Sequence, residues 1–114
     1  MKTASVLILA GLVGCSNAPA GTGAPIRVDD PSQICMVTNR YLGTVQIPVS
    51  VEGRTYYGCC SGCAAKLQGD HSLRLAKDPV TGREVDKARS VPGRLPDGRV
   101  LYFESAETLS RFRG

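Results

Sequence analysis

Glu52-Gly53-Arg54-Thr55-Tyr56-Tyr57-Gly58-Cys59-Cys60-Ser61-Gly62-Cys63 is the stretch on which the reading of this chain turns. An acid-Gly pair is a tight-turn signal, and the residues on either side of it are strand-like. Upstream, residues 45–51 (VQIPVSV) alternate Val45, Ile47, Val49 and Val51 with Gln46, Pro48 and Ser50, the pattern of a half-buried strand. Pro48 cannot donate to a ladder, so that strand belongs at an edge or carries a bulge. Residues 54–58 return from the turn and complete a hairpin. Residues 62–68 then read as a short helix with Cys60 or Ser61 near its N-cap. Cys59 and Cys63 thus fall across a strand-to-helix turn, one ending the strand and the other in the first turn of the helix.

The same unit occurs again. Asp97-Gly98-Arg99-Val100-Leu101-Tyr102-Phe103-Glu104 lies 45 positions after Glu52–Cys59, and that offset pairs Cys60 with Ser105, Cys63 with Thr108 and Leu67 with Phe112. Asp30-Pro31 is echoed by Asp78-Pro79 at an offset of 48. Each half therefore reads as acid-Pro, a variable segment, acid-Gly-Arg, a short aromatic strand and a short helix, with Ser105 capping a helix over residues 106–112. A repeat of this size suggests one supersecondary unit used twice. One such unit is too small to bury a core alone, and two packed together suffice. Tyr56, Tyr57, Tyr102 and Phe103 are expected in the hairpin core, with Arg54 and Arg99 flanking turns in solvent. Residues 69–77 and 86–96 give no clear signal.

With 114 residues, the chain is one domain or two very small ones, which excludes a large enzyme with a separate cofactor domain. Aromatic residues make up only 5% and there is no Trp, so core material is thin and a metal or disulfides are expected to help hold the fold. The net charge of +4 is scattered, with no Lys/Arg cluster among aromatics, so nothing signals nucleic-acid binding. There is no nucleophile–base pair, no paired carboxylates and no phosphate loop. The expectation is a protein that is not an enzyme.

The N-terminus reads as an address. After Lys2, residues 4–13 (ASVLILAGLV) form an apolar run too short to span a bilayer and suited to a secretory signal. It ends in Leu12-Val13-Gly14-Cys15, which resembles a bacterial lipobox. That resemblance implies a signal peptide over residues 1–14 and lipidation of Cys15; a plain secretion signal or an N-terminal anchor is the other reading. Ser16 rather than Asp after Cys15 leans toward the outer membrane facing the periplasm over the inner membrane. Residues 15–29 then form a lipidated tether, its Gly/Pro-rich part (SNAPAGTGAP) being a flexible spacer or an ordered loop.

With Cys15 set aside, Cys35, Cys59, Cys60 and Cys63 carry the chemistry. A hairpin end and a helix start can aim the sulfurs of Cys59 and Cys63 at one point, and a helix N-terminus favours thiolate. Cys35 precedes Cys59 by 24 positions and can return over the hairpin as a third ligand. Thiolates select zinc or Cu(I), and a thioether such as Met36 suits Cu(I) far better than Zn(II). Cys60 is a fourth ligand, a disulfide partner or a small N-cap residue. Met36 is a ligand or a core filler, and His71 is a surface loop residue or a ligand.

The pattern Cys35…Cys59-x3-Cys63 resembles that of TRASH domains, and GRTYYGCCSGCAAKL from Gly53 resembles the related YHS domains. The second half resembles the same unit in DPVTGREVDKA from Asp78 and GRVLYFESAETLSRF from Gly98. The resemblance implies a small α+β fold of two repeated β-hairpin-plus-helix units, treble-clef-like. It implies a metal-binding unit over residues 30–72 and a degenerate unit over residues 73–114, whose ligand positions are Thr81, Glu104 and Thr108 and whose Met position is Arg83. It also implies one soft heavy-metal ion, Cu(I) or Zn(II), held by the cysteines. Cys60 in place of the usual Ser and Gly58 in place of an aromatic depart from the family pattern.

The functional expectation is a lipid-anchored protein of the cell envelope that captures, buffers or delivers a soft metal, with a metal transporter or metallochaperone as partner. Two other readings stay open. One is a disulfide-stapled interaction lipoprotein without metal. The other is a thiol redox protein using Cys60-x2-Cys63, although the βαβ surroundings of thioredoxins are missing.

Overall fold

The computed structural model describes residues 24–113; the expected signal peptide, the expected lipidation site Cys15 and the expected tether up to residue 23 lie outside them. Along the chain run β1 (Ile26–Arg27), β2 (Ile34–Cys35), β3 (Arg40–Tyr41), β4 (Ile47–Val51), β5 (Arg54–Gly58) and α1 (Ser61–Gly69). Then follow β6 (Leu75–Lys77), β7 (Glu84–Asp86), β8 (Val91–Arg94), β9 (Val100–Phe103) and α2 (Ala106–Arg111). Pro31–Gln33 and His71–Arg74 form single 3-10 turns. The result is a small α+β protein of short antiparallel strands with two helices.

The hairpin expected around Glu52-Gly53 is β4–β5, in the register Val49 opposite Tyr56 and Val51 opposite Arg54. Glu52 and Gly53 both have positive φ, at 53° and 80°, the two-residue turn whose twist matches the strands it joins. β4 pairs on one side only, as Pro48 requires. The strand is shorter than residues 45–51, and its alternation is only half realised. Val49 is buried, while Val45 and Ile47 are 73% and 41% exposed. For Ile47 the physical reason is the small side chains of the helix beside it. α1 turns Ser61, Ala64 and Ala65 toward this end of β4, and side chains so small leave an open groove beside Ile47.

The second hairpin, β8–β9, gains a third strand from β1, so the sheet order is β1-β8-β9. Gly98 (φ 93°) sits in its turn, where the Asp97 carboxylate accepts the Arg99 N–H and pairs with the Arg99 guanidinium at 2.8 Å. The segments without clear sequence signal become ordered. Asp70 caps the His71–Arg74 turn, and β6 and β7 pair with each other. Asp30 and Asp70 act alike, each accepting from the N–H and hydroxyl of the serine two positions on. The local role of Asp30 is therefore repeated at Asp70; Asp78 does something else.

A single core cluster, Val28, Ile34, Met36, Val49, Tyr56, Leu67, Val100 and Tyr102, draws on both halves. Full burial of each such side chain contributes about 1.5–3 kcal/mol. Polar links reinforce the joint. Arg54 and the Tyr56 hydroxyl both donate to Asp86, at 3.0 Å and 2.8 Å. Asn39 accepts from Val100 N–H on its carbonyl and from Tyr102 on its side chain. The expectation that Arg54 flanks its turn in solvent is thus corrected, because a carboxylate in the other half draws it in. Arg99 fulfils it, with 61% of its side chain exposed.

Candidate metal centre

Cys35, Cys59 and Cys63 converge, with their three sulfurs all within 4.8 Å of one another. Cys35 is brought there by β2 and by one backbone bond, Met36 N–H to the Tyr57 carbonyl at 2.8 Å, which lays the end of β2 against β5 two residues before Cys59. The chain turns back immediately after Cys35. Asn39 adopts φ 58°, and its N–H bonds the Cys35 carbonyl at 2.7 Å. Cys63 arrives from the first turn of α1, and its sulfur lies 3.6 Å from that of Cys59.

Gly58 is what allows this closeness. A Cβ there would stand 2.9 Å from the Ala64 nitrogen and 3.0 Å from the Cys63 Cβ. An aromatic side chain at this position cannot coexist with a helix start packed so tightly on the strand end.

The electrostatics differ from one sulfur to the next. Cys35 is fully buried, which opposes its thiolate. The hydroxyl and N–H of Thr38, the N–H of Val37 and the Cys59 thiol outweigh that opposition and bring Cys35 down to about 6. The Cys59 thiol is engaged by Cys35 and Cys63 and faces their charge, so it is pushed up to about 12. Burial, and then the contact with Cys60, raise Cys63. Of the three, Cys35 is the sulfur whose surroundings favour the thiolate, through the donors of the turn that follows it. A metal ion entering the site releases the remaining thiol protons, so affinity rises with pH.

Cys60 is exposed and its sulfur is not in the three-sulfur group. It is the N-cap of α1, accepting from the Cys63 N–H at 3.4 Å, and this bond lowers its pKa. Ser105 does the same for α2 through the Thr108 N–H. Met36 lies fully buried in the core. His71 is an exposed residue of a 3-10 turn and takes no part in the group. The four described cysteines are free thiols.

Thr81, Glu104 and Thr108, the expected ligand positions of the second half, also meet, but around a carboxylate. Asp78 is fully buried and accepts from Val80 N–H, Thr81 N–H, Glu104 N–H and the Thr108 hydroxyl at 2.7–3.2 Å. Thr81 donates to Glu104 at 2.6 Å. Burial opposes the Asp78 carboxylate, yet the Glu104 N–H, the Thr108 hydroxyl and the other two donors outweigh it and lower its pKa. Hydrogen bonds thus tie together strand end, turn and helix start.

Two groups near the sulfurs escaped the sequence reading. Thr38 stands in the turn after Cys35, where a short polar residue three positions past a cysteine is a weak hint at best. Lys87 comes from the other half. It is 5% exposed, and its ammonium donates to the Met36 carbonyl at 2.6 Å and to Asn39 Oδ1 at 2.9 Å, with the Tyr102 ring 5.2 Å away. Burial pushes it down to about 8, against the upward pull of the Cys35 charge. No local pattern marks it.

Among the described residues, no helix is long and apolar enough to cross a membrane. Compared with known proteins, the chain matches no family model, no curated protein and no solved structure.

Proposed function

We propose that this is a lipid-anchored, extracytoplasmic metal-binding protein that captures, buffers or delivers one soft ion, Cu(I) or Zn(II), as cargo. The observation that carries the reading is the meeting of three sulfurs from two separate segments, all within 4.8 Å of one another. The donor set fits the ion. Zn–S bonds of about 2.3 Å with tetrahedral angles put sulfur pairs about 3.8 Å apart. The Cys59–Cys63 pair, at 3.6 Å, is already close to that spacing. Cys35, Cys59 and Cys63 would hold the ion, with Met36 and Cys60 as further candidates. Such a sulfur set favours tight holding over turnover.

Other parts of the proposal rest on the sequence. The lipobox-like Leu12-Val13-Gly14-Cys15 supports an anchor, and Ser16 supports the outer membrane facing the periplasm. The TRASH/YHS resemblance and the offset of 45 positions support two related units, residues 30–72 and 73–114, the second without ligands. The buried Asp78 network supports that second unit as a packing partner. A metal transporter or metallochaperone is the partner such cargo calls for.

The test is elemental analysis of anaerobically purified protein with free thiols counted. One equivalent of metal is expected in the wild type, none in Cys59→Ser or Cys63→Ser, and an unchanged amount in Thr108→Ala. Metal content unaffected by either cysteine substitution refutes the site. Blocked thiols without metal establish the disulfide-stapled reading instead.

A further inference from the structure

A buried cation needs an anion, and among the described residues no carboxylate supplies one to Lys87. Its side chain is almost wholly enclosed, and among the described residues no carboxylate lies within 4.0 Å of its ammonium. Its contacts are the Met36 carbonyl, the Asn39 amide oxygen and the face of Tyr102, all neutral. Buried charges persist when they are paired. The Met36 carbonyl belongs to the residue after Cys35, so the ammonium is held against the backbone that carries one of the three sulfurs. We propose that Lys87 is the built-in counter-charge of this site and biases it toward the monovalent soft cation Cu(I) over Zn(II). This inference rests on the metal-site reading above.

The argument is one of net charge. Three thiolates around Zn(II) leave one negative charge, and the same three around Cu(I) leave two. Whatever the protonation of the metal-free thiols, the Cu(I) complex carries one more unit of negative charge beside Lys87. At an effective dielectric constant of about 20, the attraction between two unit charges falls from ~100-fold to ~10-fold in a binding constant as their separation grows from roughly 6 to 10 Å, and this sets the scale of the effect. Lys87 is thus a positioning residue for charge and touches no metal itself.

The experiment measures Cu(I) and Zn(II) affinities anaerobically at pH 7, by competition with a chelator for each ion. It compares wild type, Lys87→Met, Lys87→Gln and Lys87→Arg. The Met and Gln variants should lose ~10- to 100-fold more affinity for Cu(I) than for Zn(II), and Arg, which keeps the charge, should restore most of the difference. Gln retains a donor for Asn39 and guards against a Met variant that fails to fold, which thermal unfolding of the metal-free proteins reports. Equal losses for the two ions, or an Arg variant as impaired as Met, overturn the inference and leave Lys87 a structural strut. A wild type that binds neither ion overturns the metal-site reading and this inference with it.

Discussion

Asp78→Ala should remove about 4–6 kcal/mol of the protein's stability. The carboxylate is fully buried and accepts four hydrogen bonds, from Val80 and Thr81 on one oxygen and from Glu104 and Thr108 on the other. Hydrogen bonds to a charged acceptor contribute about 1.5–3 kcal/mol each, and a buried donor left unmade costs about 1–3 kcal/mol. These four share one acceptor group and are not additive, so about 4–6 kcal/mol is the expected loss. A body of this size has a total stability of roughly 5–13 kcal/mol. Asp78→Asn keeps the volume and one acceptor oxygen but turns an NH2 group toward the Glu104 N–H. Its expected loss is about 2–3 kcal/mol. The assay is urea unfolding of metal-free protein, read as a shift in midpoint at constant slope; with a slope near 1–1.5 kcal/mol/M, the Asn variant moves by about 2 M. The pH dependence has a definite sign. The Asp78 pKa is lowered in the folded state, so its contribution is fully present above the unfolded value of about 3.9 and is lost as pH falls below it. Asp78→Asn should remove that part of the acid sensitivity. An Asp78→Ala protein within about 1 kcal/mol of wild type refutes the reasoning.

Two further outcomes follow from the geometry around the sulfurs. Gly58→Ala should cost about 1–3 kcal/mol, as overpacking does, because the new Cβ meets backbone of the α1 start at 2.9 Å; by displacing Cys63 from Cys59 it should also weaken metal binding at least tenfold, checked by chelator competition. Cys60→Ser should leave metal stoichiometry and melting temperature nearly unchanged, since Ser105 shows that serine caps the equivalent helix, whereas Cys60→Ala should lower the melting temperature; loss of metal in the Ser variant would make Cys60 a ligand.

The hairpin at residues 47–58, the cap at residue 60 and the helix behind it were legible because each has a local cause. A two-residue turn, a period of two and a capping side chain act over a few positions, and reading them needs no knowledge of distant neighbours. The convergence of Cys59 and Cys63 belongs to the same class, since one strand–helix turn fixes both. Cys35 was only a candidate, and its arrival depends on a backbone bond from Met36 to Tyr57. Burial along β4 misled for a related reason. Alternation marks which residues share a face, but the small side chains of α1 decide how much of that face is covered.

Taken alone, the order of residues determined the turns, the caps and the donor type at the site, because these follow from short-range sterics and from the chemistry of sulfur. Only the folded chain decided which distant polar and charged groups meet. Asp78 ends beneath Thr108, Arg54 on Asp86 and Lys87 beside the residue that follows Cys35. Those pairings span 30, 32 and 51 positions. They exist because one core cluster draws on residues from Val28 to Tyr102, and closing it brings together polar groups that no local pattern relates.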